Sequence, residues 1–467
     1  MRVNILTFSA IVLMLFFTVS LFLMPITPEH GYYTALAKFM AQGMVPYSDF
    51  YMMEMPVGIG LYALLYKLTG VDGSTSFSLV PFVIINAVNL LLMTKLMLKM
   101  NIKKGFALLG IVFYFLLCYS SDALHMNMEI LAATLLLGAC LAVLKKRWMF
   151  TMLAALLFSV AVGCKVQIIA MLPVLVLIAA TEKRGNGFNF KQCCLLIGST
   201  LLFILIGYII IACSCGNFHW AEEVTWSVEE LHSPTFDKLK NIISYVVIQT
   251  ARCGIVFLFI VPFIYKKLHT DGRRMAFIAV VATVCGLALF YFKVEVVQGI
   301  FFYPFVTIAL MHMLQAISKK TIVAILAILI MAPPVALSAR EIMKFGDGKE
   351  RNVYYEEMGY IKEILKKPGK AVMLIYTDKE FYIGPQIFAE CPHVQPVKIE
   401  NGAMGYNLIE NVKDNLHQTI YKTIIPRNIR LAEAPSHGLP INLYDPKSAG
   451  AESYMLLAEE VINKGEE

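Results

Sequence analysis

Three ionisable residues lie close together between two apolar runs of the chain. Asp122, His125 and Glu129 are separated by three and then four positions, a spacing that places all three on one face of a helix. Two carboxylates and an imidazole on one face could bind a metal ion, contact a charged substrate or exchange protons. Because ionisable residues near a membrane are costly to bury, function is the first hypothesis for them.

A second polar group lies in the segment 25–70, directly after an apolar run at 5–24. Its members are Glu29, His30, Tyr33, Asp49 and Glu54. Loops longer than about 12–15 residues usually carry function or are disordered, and this one is too rich in aromatic residues for disorder. The alternatives are ordinary: Glu29 could cap a helix that begins near Gly31, and His30 could be structural.

The order of residues in this segment resembles the first outer loop of the GT-C glycosyltransferases. These are polytopic enzymes related to protein O-mannosyltransferases and lipid A aminoarabinose transferases. The resemblance lies in EHGYY, a helix, QGMVPYSDF and then MPVGIGLYAL. The matching positions are Glu29, Gly31, Tyr32, Tyr33, Gly43, Pro46, Tyr47, Asp49 and Pro56, and His30 replaces a second acid.

The resemblance implies an enzyme in which Glu29 takes the proton from the acceptor hydroxyl as catalytic base. It implies contacts to the donor from His30, Tyr33, Asp49, Asp122, His125 and Glu129. The departing phosphate needs balancing positive charge. A divalent metal ion is one candidate, with Glu29, His30 and Asp122 as its candidate ligands.

Two lysines are the other candidates for that positive charge. A basic turn followed by AVGCKVQ resembles the step at which GT-C enzymes place a lysine, here Lys165. Lys293 could contact a lipid-linked phosphate, or it could be a snorkelling residue at a helix end.

The composition predicts an all-α polytopic membrane protein. Apolar residues make up 58% of the chain and charged residues 16%, against about 45–50% and 25% in a soluble domain. Helices are expected because lipid offers the backbone no other partner. Apolar windows predict about eleven spans, at 5–24, 75–97, 105–120, 128–144, 148–164, 166–180, 192–212, 242–265, 275–291, 298–316 and 321–338.

Lysine and arginine predict the orientation. With a cytoplasmic N-terminus, the inner loops hold about sixteen basic residues and the outer loops about six, which is a positive-inside bias. The segment 25–70 and everything after the last span then face away from the cytoplasm. The net charge of +7 comes mostly from helix ends, so no nucleic-acid partner is expected.

The end of the chain differs from the rest. We expect 339–400 to form a small soluble α/β segment on the outer face, with a helix at 354–366 and a strand at 371–377. From about residue 405 the chain resembles the C-terminal end of ParA/Soj-type chromosome-partition ATPases, through IPRNIRLAEAPSHGLPI and YDPKSAGAESYMLLAEEVI. Pro426, Asn428 and Pro435 match positions that lie beside the nucleotide base in that family.

That family's phosphate-binding loop is missing from the sequence, because no Gly-rich run ends in Lys-Ser or Lys-Thr. Neither ATP binding nor ATPase activity is therefore expected. We interpret the chain as a chimera with its junction between about 395 and 410. Its parts are a GT-C-like transmembrane domain at 1–338, whose first outer loop is 25–74, the segment 339–400, and a ParA-like fragment at 401–467.

The expected function is transfer of a sugar from a polyprenyl-phosphate donor to a glycan, lipid or protein acceptor, in contact with membrane lipid, at the outer face of a bacterial inner membrane. A transporter or flippase of lipid-linked substrates is the alternative. Its binding site would be expected near mid-bilayer, whereas the acidic residues here cluster at one face. A third reading takes the chain as a partition protein because of its tail.

Overall fold

The computed structural model describes most of the chain between residues 28 and 346 and the end of the tail. The described ranges are 28–46, 55–69, 80–121, 127–180, 189–215, 270–290, 296–346 and 439–465, with isolated positions at 12, between 240 and 268, and between 423 and 434. The chain divides into two compact units, Met1–Lys398 and Ile399–Glu467.

The first unit is mostly helical in its described residues, which contain no strand. Two helices, α1 and α2, come from the segment with the GT-C-like pattern, and two 3-10 helices interrupt the later ones. The α-helices are α1 Pro28–Ala41, α2 Pro56–Thr69, α3 Val80–Lys99, α4 Lys104–Tyr119, α5 Met128–Val143, α6 Trp148–Cys164, α7 Leu172–Ala180, α8 Phe190–Ser214, α9 Thr270–Phe290, α10 Tyr303–Ala316 and α11 Lys320–Gly346. The 3-10 helices are Val166–Met171 and Val296–Phe301.

Local sequence explains where α1 ends and α2 begins. Gly43 has a φ of +89°, and the backbone N–H groups of Gly43 and Met44 donate to the carbonyls of Met40 and Phe39, both at 3.0 Å. This is the Schellman arrangement, which favours glycine because it needs a left-handed residue. Helix α2 begins at Pro56, where the missing proline N–H costs nothing.

The helix ends meet at two opposite ends of the first unit. At one end, which we call the Asn101 end, Asn101 Nδ2 donates to Asp271 Oδ2 at 2.5 Å, and the N–H of Lys103 donates to Gln315 Oε1 at 2.9 Å. Helices α4 and α10 both connect this end to the other, in opposite chain directions, and at that other end Ser121 lies beside the hydroxyl of Tyr303. We call that second end, where α4 ends and α5 begins, the Glu129 end.

Three described helices are long and apolar enough to span a membrane: the segments Phe82–Lys99, Phe190–Ser214 and Lys320–Arg340. Five further apolar helices are shorter. Of the last two long segments only 17% is buried in the protein, and both expose large apolar side chains, among them Leu201, Ile210 and Ile328. By length and composition these helices allow this unit to associate with a membrane, while the predicted number of about eleven spans stays a prediction.

The predicted spans differ from the helices in their detail. Windows 166–180 and 298–316 each begin as a 3-10 helix and continue as an α-helix, with Pro173 and Pro304 in the first turn of the α-helix. Helix α11 continues through Pro333 and Pro334 to Gly346, eight residues beyond the predicted end at 338. Windows 5–24 and 242–265 lie almost wholly outside the described residues.

The described part of the second unit is small. It contains α12 Ile441–Tyr444 and α13 Ala449–Gly465, around a core of Ala434, Ile441 and Ala451. Thr423 donates through its N–H and its hydroxyl to Glu460 Oε2, at 2.8 and 2.7 Å. No strand occurs among the tail residues that the structure describes, and the strand predicted at 371–377 lies outside them.

Candidate active site at the Glu129 end

Three of the predicted site residues have described side chains, namely Tyr33, Glu129 and Lys165. Glu29 and His30 belong to α1 by their backbone, but their side chains lie outside the description. The remaining predicted positions are outside the described residues: Asp49, Asp122, His125, Lys293, Pro426, Asn428 and Pro435. Their predicted roles stay predictions.

Glu129 and Lys165 form a buried ion pair. Lys165 Nζ lies 3.0 Å from Glu129 Oε1, and the two side chains are 13% and 4% exposed. The sequence pointed to each residue for a separate reason, and the structure joins them. A buried ion pair is weak evidence for stability, because desolvation offsets much of the attraction. A functional role therefore explains the buried pair better than a contribution to stability does.

The ends of two helices position this pair. Glu129 lies in the first turn of α5, where the partial positive charge of the helix N-terminus favours a carboxylate. The N-cap is Asn127, whose side chain accepts the N–H of Ile130 at 2.8 Å. Lys165 sits in the break between α6 and the 3-10 helix, with an extended backbone at φ −150° and ψ 111°. The break turns the chain and lets the lysine reach α5.

Helix α2 packs directly against the same site. The Tyr62 hydroxyl donates to the carbonyl of Asn127 at 3.3 Å. A Cβ on Gly58 would overlap Met128 Sδ and come within 3.3 Å of Cys164 Cβ, and a Cβ on Gly163 would lie 2.9 Å from Val57. Two glycines thus allow close approach of α2 to α5 and α6. The proline-led helix of the GT-C-like segment therefore contacts the residues that directly precede Glu129 and Lys165.

Tyr33 has a packing role in the structure. It is buried in the same hydrophobic core as Tyr62 and Tyr66. Beside it on α1, Thr34 Oγ1 accepts from the Tyr66 hydroxyl at 3.4 Å. The predicted contact between Tyr33 and the donor stays a prediction.

A metal ion is not what the described pair fits. The ammonium of Lys165 already balances the carboxylate of Glu129, and the described residues contain no group of three or more metal-ligating side chains. The predicted ligands Glu29, His30 and Asp122 have no described side chains, so a divalent metal stays a prediction for those positions.

A second polar cluster, which the sequence did not predict, lies near this end. Arg252, Gln249 and Tyr303 are all buried, with Arg252 only 8% exposed. The Tyr303 hydroxyl donates to Gln249 Oε1 at 3.2 Å, and Arg252 lies beside that hydroxyl. The available signal was one arginine inside the apolar window 242–265, since charged residues in such windows are rare and usually functional.

Comparison with known proteins finds similarity over a short fragment. No family model matches the chain, and no solved structure matches it. The Bacillus subtilis "Sporulation initiation inhibitor protein Soj" is 58% identical over 62 residues, which are 13% of this chain and 24% of the relative. The Treponema pallidum "Chromosome-partitioning ATPase Soj" is 46% identical over 59 residues (13% and 23%), and the Myxococcus xanthus "Chromosome partitioning protein ParA" is 41% identical over 61 residues (13% and 22%).

These matches support the ParA-like part of the sequence analysis. The chain spans about a quarter of the length of the curated relatives that it matches. The chain carries a fragment, about an eighth of its length, that is similar to part of the Soj and ParA partition proteins.

Proposed function

We propose that the helical unit is a membrane glycosyltransferase. It moves a sugar from a polyprenyl-phosphate donor to a glycan, lipid or protein acceptor at the outer face of a bacterial inner membrane. The observation that supports this most is the buried Glu129–Lys165 pair, 3.0 Å apart, against which the proline-led helix of the GT-C-like segment packs. Two sequence patterns that resemble the same enzyme class thus meet at one place.

In this proposal Lys165 supplies positive charge to the departing phosphate, because a fixed cation stabilises charge that develops in the transition state. Glu129 is a positioning residue that keeps the ammonium at the Glu129 end of the unit. Glu29, in the first turn of α1, is the proposed base for the acceptor hydroxyl.

A transporter or flippase of lipid-linked substrates is the second candidate. The observation in its favour is Arg252, which is buried and lies inside a predicted span. Transporter sites typically lie near the bilayer midplane, and this arginine is ten residues beyond the start of its window at 242.

The ParA-like fragment has no part in this function. We propose a chimeric chain whose tail neither binds ATP nor contributes to the transfer, because the sequence contains no phosphate-binding loop.

The test is transfer of radiolabelled sugar from polyprenyl-phosphate donors in membranes that contain the full chain. We expect label in lipid, polymer or protein, and at least a hundredfold loss with Glu29→Gln and with Lys165→Met. The matched control is Lys67→Met, an exposed lysine of α2, which should transfer at the wild-type rate.

Two outcomes would contradict the proposal. Transfer that survives Glu29→Gln unchanged would move the base to another carboxylate, first to Asp122 or Glu129. No transfer with any donor, together with movement of labelled donor across the bilayer, would establish the transporter instead.

A further inference from the structure

We infer that Arg252, Gln249 and Tyr303 form a phosphate-binding site, and that the phosphate belongs to a polyprenyl lipid. The inference deepens the proposed function and rests on it for the lipid, because a polyprenyl-phosphate donor carries the group that this site would hold. The binding itself depends only on the three side chains and can be measured without any sugar transfer.

Arg252 carries a positive charge in a buried position. Its side chain is buried, and a guanidinium stays charged in proteins. Its Nε and Nη1 atoms have no hydrogen-bond acceptor among the described residues. The Tyr303 hydroxyl accepts one hydrogen bond from this guanidinium. Because a buried charge with donor groups left unsatisfied is unfavourable, a further acceptor of opposite charge is expected at this position.

The side-chain amide of Gln249 is oriented by the donors around its oxygen. Its Oε1 accepts from the Tyr303 hydroxyl at 3.2 Å and from Cys253 Sγ at 3.3 Å. With the amide oxygen engaged by two donors, the Nε2 group is left as a donor, and it too has no acceptor among the described residues. The cluster thus presents an excess of N–H donors and one positive charge.

The unsatisfied N–H donors of this cluster indicate which class of ligand it would bind. Donors on two different side chains, one of them a guanidinium, suit an anion with several acceptor oxygens. Phosphate provides more such oxygens than a carboxylate and pairs well with arginine. The surrounding window 242–265 is apolar, so a ligand with an isoprenoid tail would find its tail in apolar surroundings.

The position of this cluster can be related to that of the Glu129–Lys165 pair. Ser121 lies beside Tyr303, and Asn127, the N-cap of α5, follows Ser121 by six residues. Six residues of chain span at most about 20 Å. The Arg252 cluster and Lys165 therefore lie at the same end of the unit, as two cationic contacts to one lipid-linked phosphate would require.

The experiment measures binding to the purified full chain in lipid nanodiscs. The probes are a polyprenyl phosphate, the corresponding polyprenol and inorganic phosphate. We expect the polyprenyl phosphate to bind at least tenfold more tightly than the polyprenol, and Arg252→Gln to remove that preference. Arg252→Lys should keep part of it, because it keeps the charge but loses the planar donors.

Two further variants keep the test decisive if Arg252→Gln fails to fold. Gln249→Leu leaves the charge in place and should weaken binding of the polyprenyl phosphate severalfold. Arg340→Gln, at an exposed arginine of α11, is the matched control and should bind as the wild type does.

The outcomes separate the possible explanations. Equal binding of inorganic phosphate and polyprenyl phosphate would support the phosphate site and overturn the lipid source. Wild-type affinity in both Arg252→Gln and Gln249→Leu would overturn the site. A double-mutant cycle in which Arg252 couples to Asp122, with phosphate binding unchanged in both single variants, would also overturn the site, because the acceptor would then be an internal carboxylate.

The result can also be told apart from failure of the proposed function. A chain that binds polyprenyl phosphate through Arg252 but transfers no sugar keeps this inference and loses the glycosyltransferase. A chain in which Arg252→Gln transfers sugar with unchanged rate and donor affinity loses this inference alone.

Discussion

At the scale of single residues, the Glu129–Lys165 pair makes a sharp prediction about stability. Lys165→Met leaves a buried carboxylate without its cation, and removing one partner of a buried pair costs about 3–5 kcal/mol. We expect the lower part of that range, because the Lys165 side chain is 13% exposed. Replacing both residues, in Glu129→Gln with Lys165→Met, should cost clearly less than the sum of the two single changes.

The measurement is thermal unfolding in detergent for the two single variants and the double variant. A coupling free energy of about 1–3 kcal/mol is expected for groups in direct contact. Additive costs would show that the two side chains do not interact. Lys165→Arg keeps the charge but changes its geometry. We therefore expect this variant to retain much of the wild-type stability and to lose a larger fraction of the transfer activity than of the stability.

The same residues show how far sequence reasoning reaches. Helical spacing led to Glu129 and a family resemblance led to Lys165, because both signals are local in the chain. The contact between the two residues could not be predicted from the sequence. It depends on how the start of α5 packs against the end of α6, and the two residues are 36 positions apart. Arg252 was missed because averaging over an apolar window hides a single charge.

At the scale of elements, the approach of α2 to α5 and α6 depends on small residues. Gly58 faces Met128 and Cys164, with no room for a Cβ unless Met128 moves. We expect Gly58→Ala to destabilise the unit by about 1–3 kcal/mol through overpacking. It should also lower transfer, because it displaces the chain around Glu129.

A matched control exists in α8. Gly207 is also helical, and a Cβ there would meet nothing within 4 Å. Gly207→Ala should be neutral or stabilise the helix by up to about 1 kcal/mol, as helix propensity dictates. Thermal unfolding and transfer of both variants check the prediction, and equal effects at the two positions would contradict it.

The positions of the helices were predicted better than the 3-10 turns that interrupt them. Apolar windows located α3 to α11 because each must satisfy its own backbone in an apolar surrounding. The 3-10 turns before Pro173 and Pro304 were not predicted, because hydropathy does not report hydrogen-bond register. The continuation of α11 past 338 was missed because the polarity of the side chains changes there while the helix goes on.

At the scale of the whole molecule, the predicted orientation can be tested with two exposed lysines. Lys67 is in α2, within the segment predicted to face outward, and Lys104 begins α4 at the Asn101 end. An impermeant thiol reagent on intact cells should add label to Lys67→Cys beyond the wild-type level. Lys104→Cys should gain label only after permeabilisation, and the reverse pattern would invert the topology.

The two compact units lead to the last prediction. The described core of Ile399–Glu467 consists of three small or medium side chains, Ala434, Ile441 and Ala451, while Leu443 and Met455 are 65% and 54% exposed. The matching fragment is about a quarter of its relatives, and a small segment with so small a described core is at most marginally stable alone. A stop codon after Lys398 should therefore leave sugar transfer within twofold of the full chain. It should also raise the amount of protein in the membrane, because exposed apolar surface attracts proteolysis and aggregation.

Transfer normalised to the amount of protein in the membrane separates these two effects. A large loss of normalised transfer would mean that the tail contributes to the function of the helical unit and that the chain is more than a chance fusion.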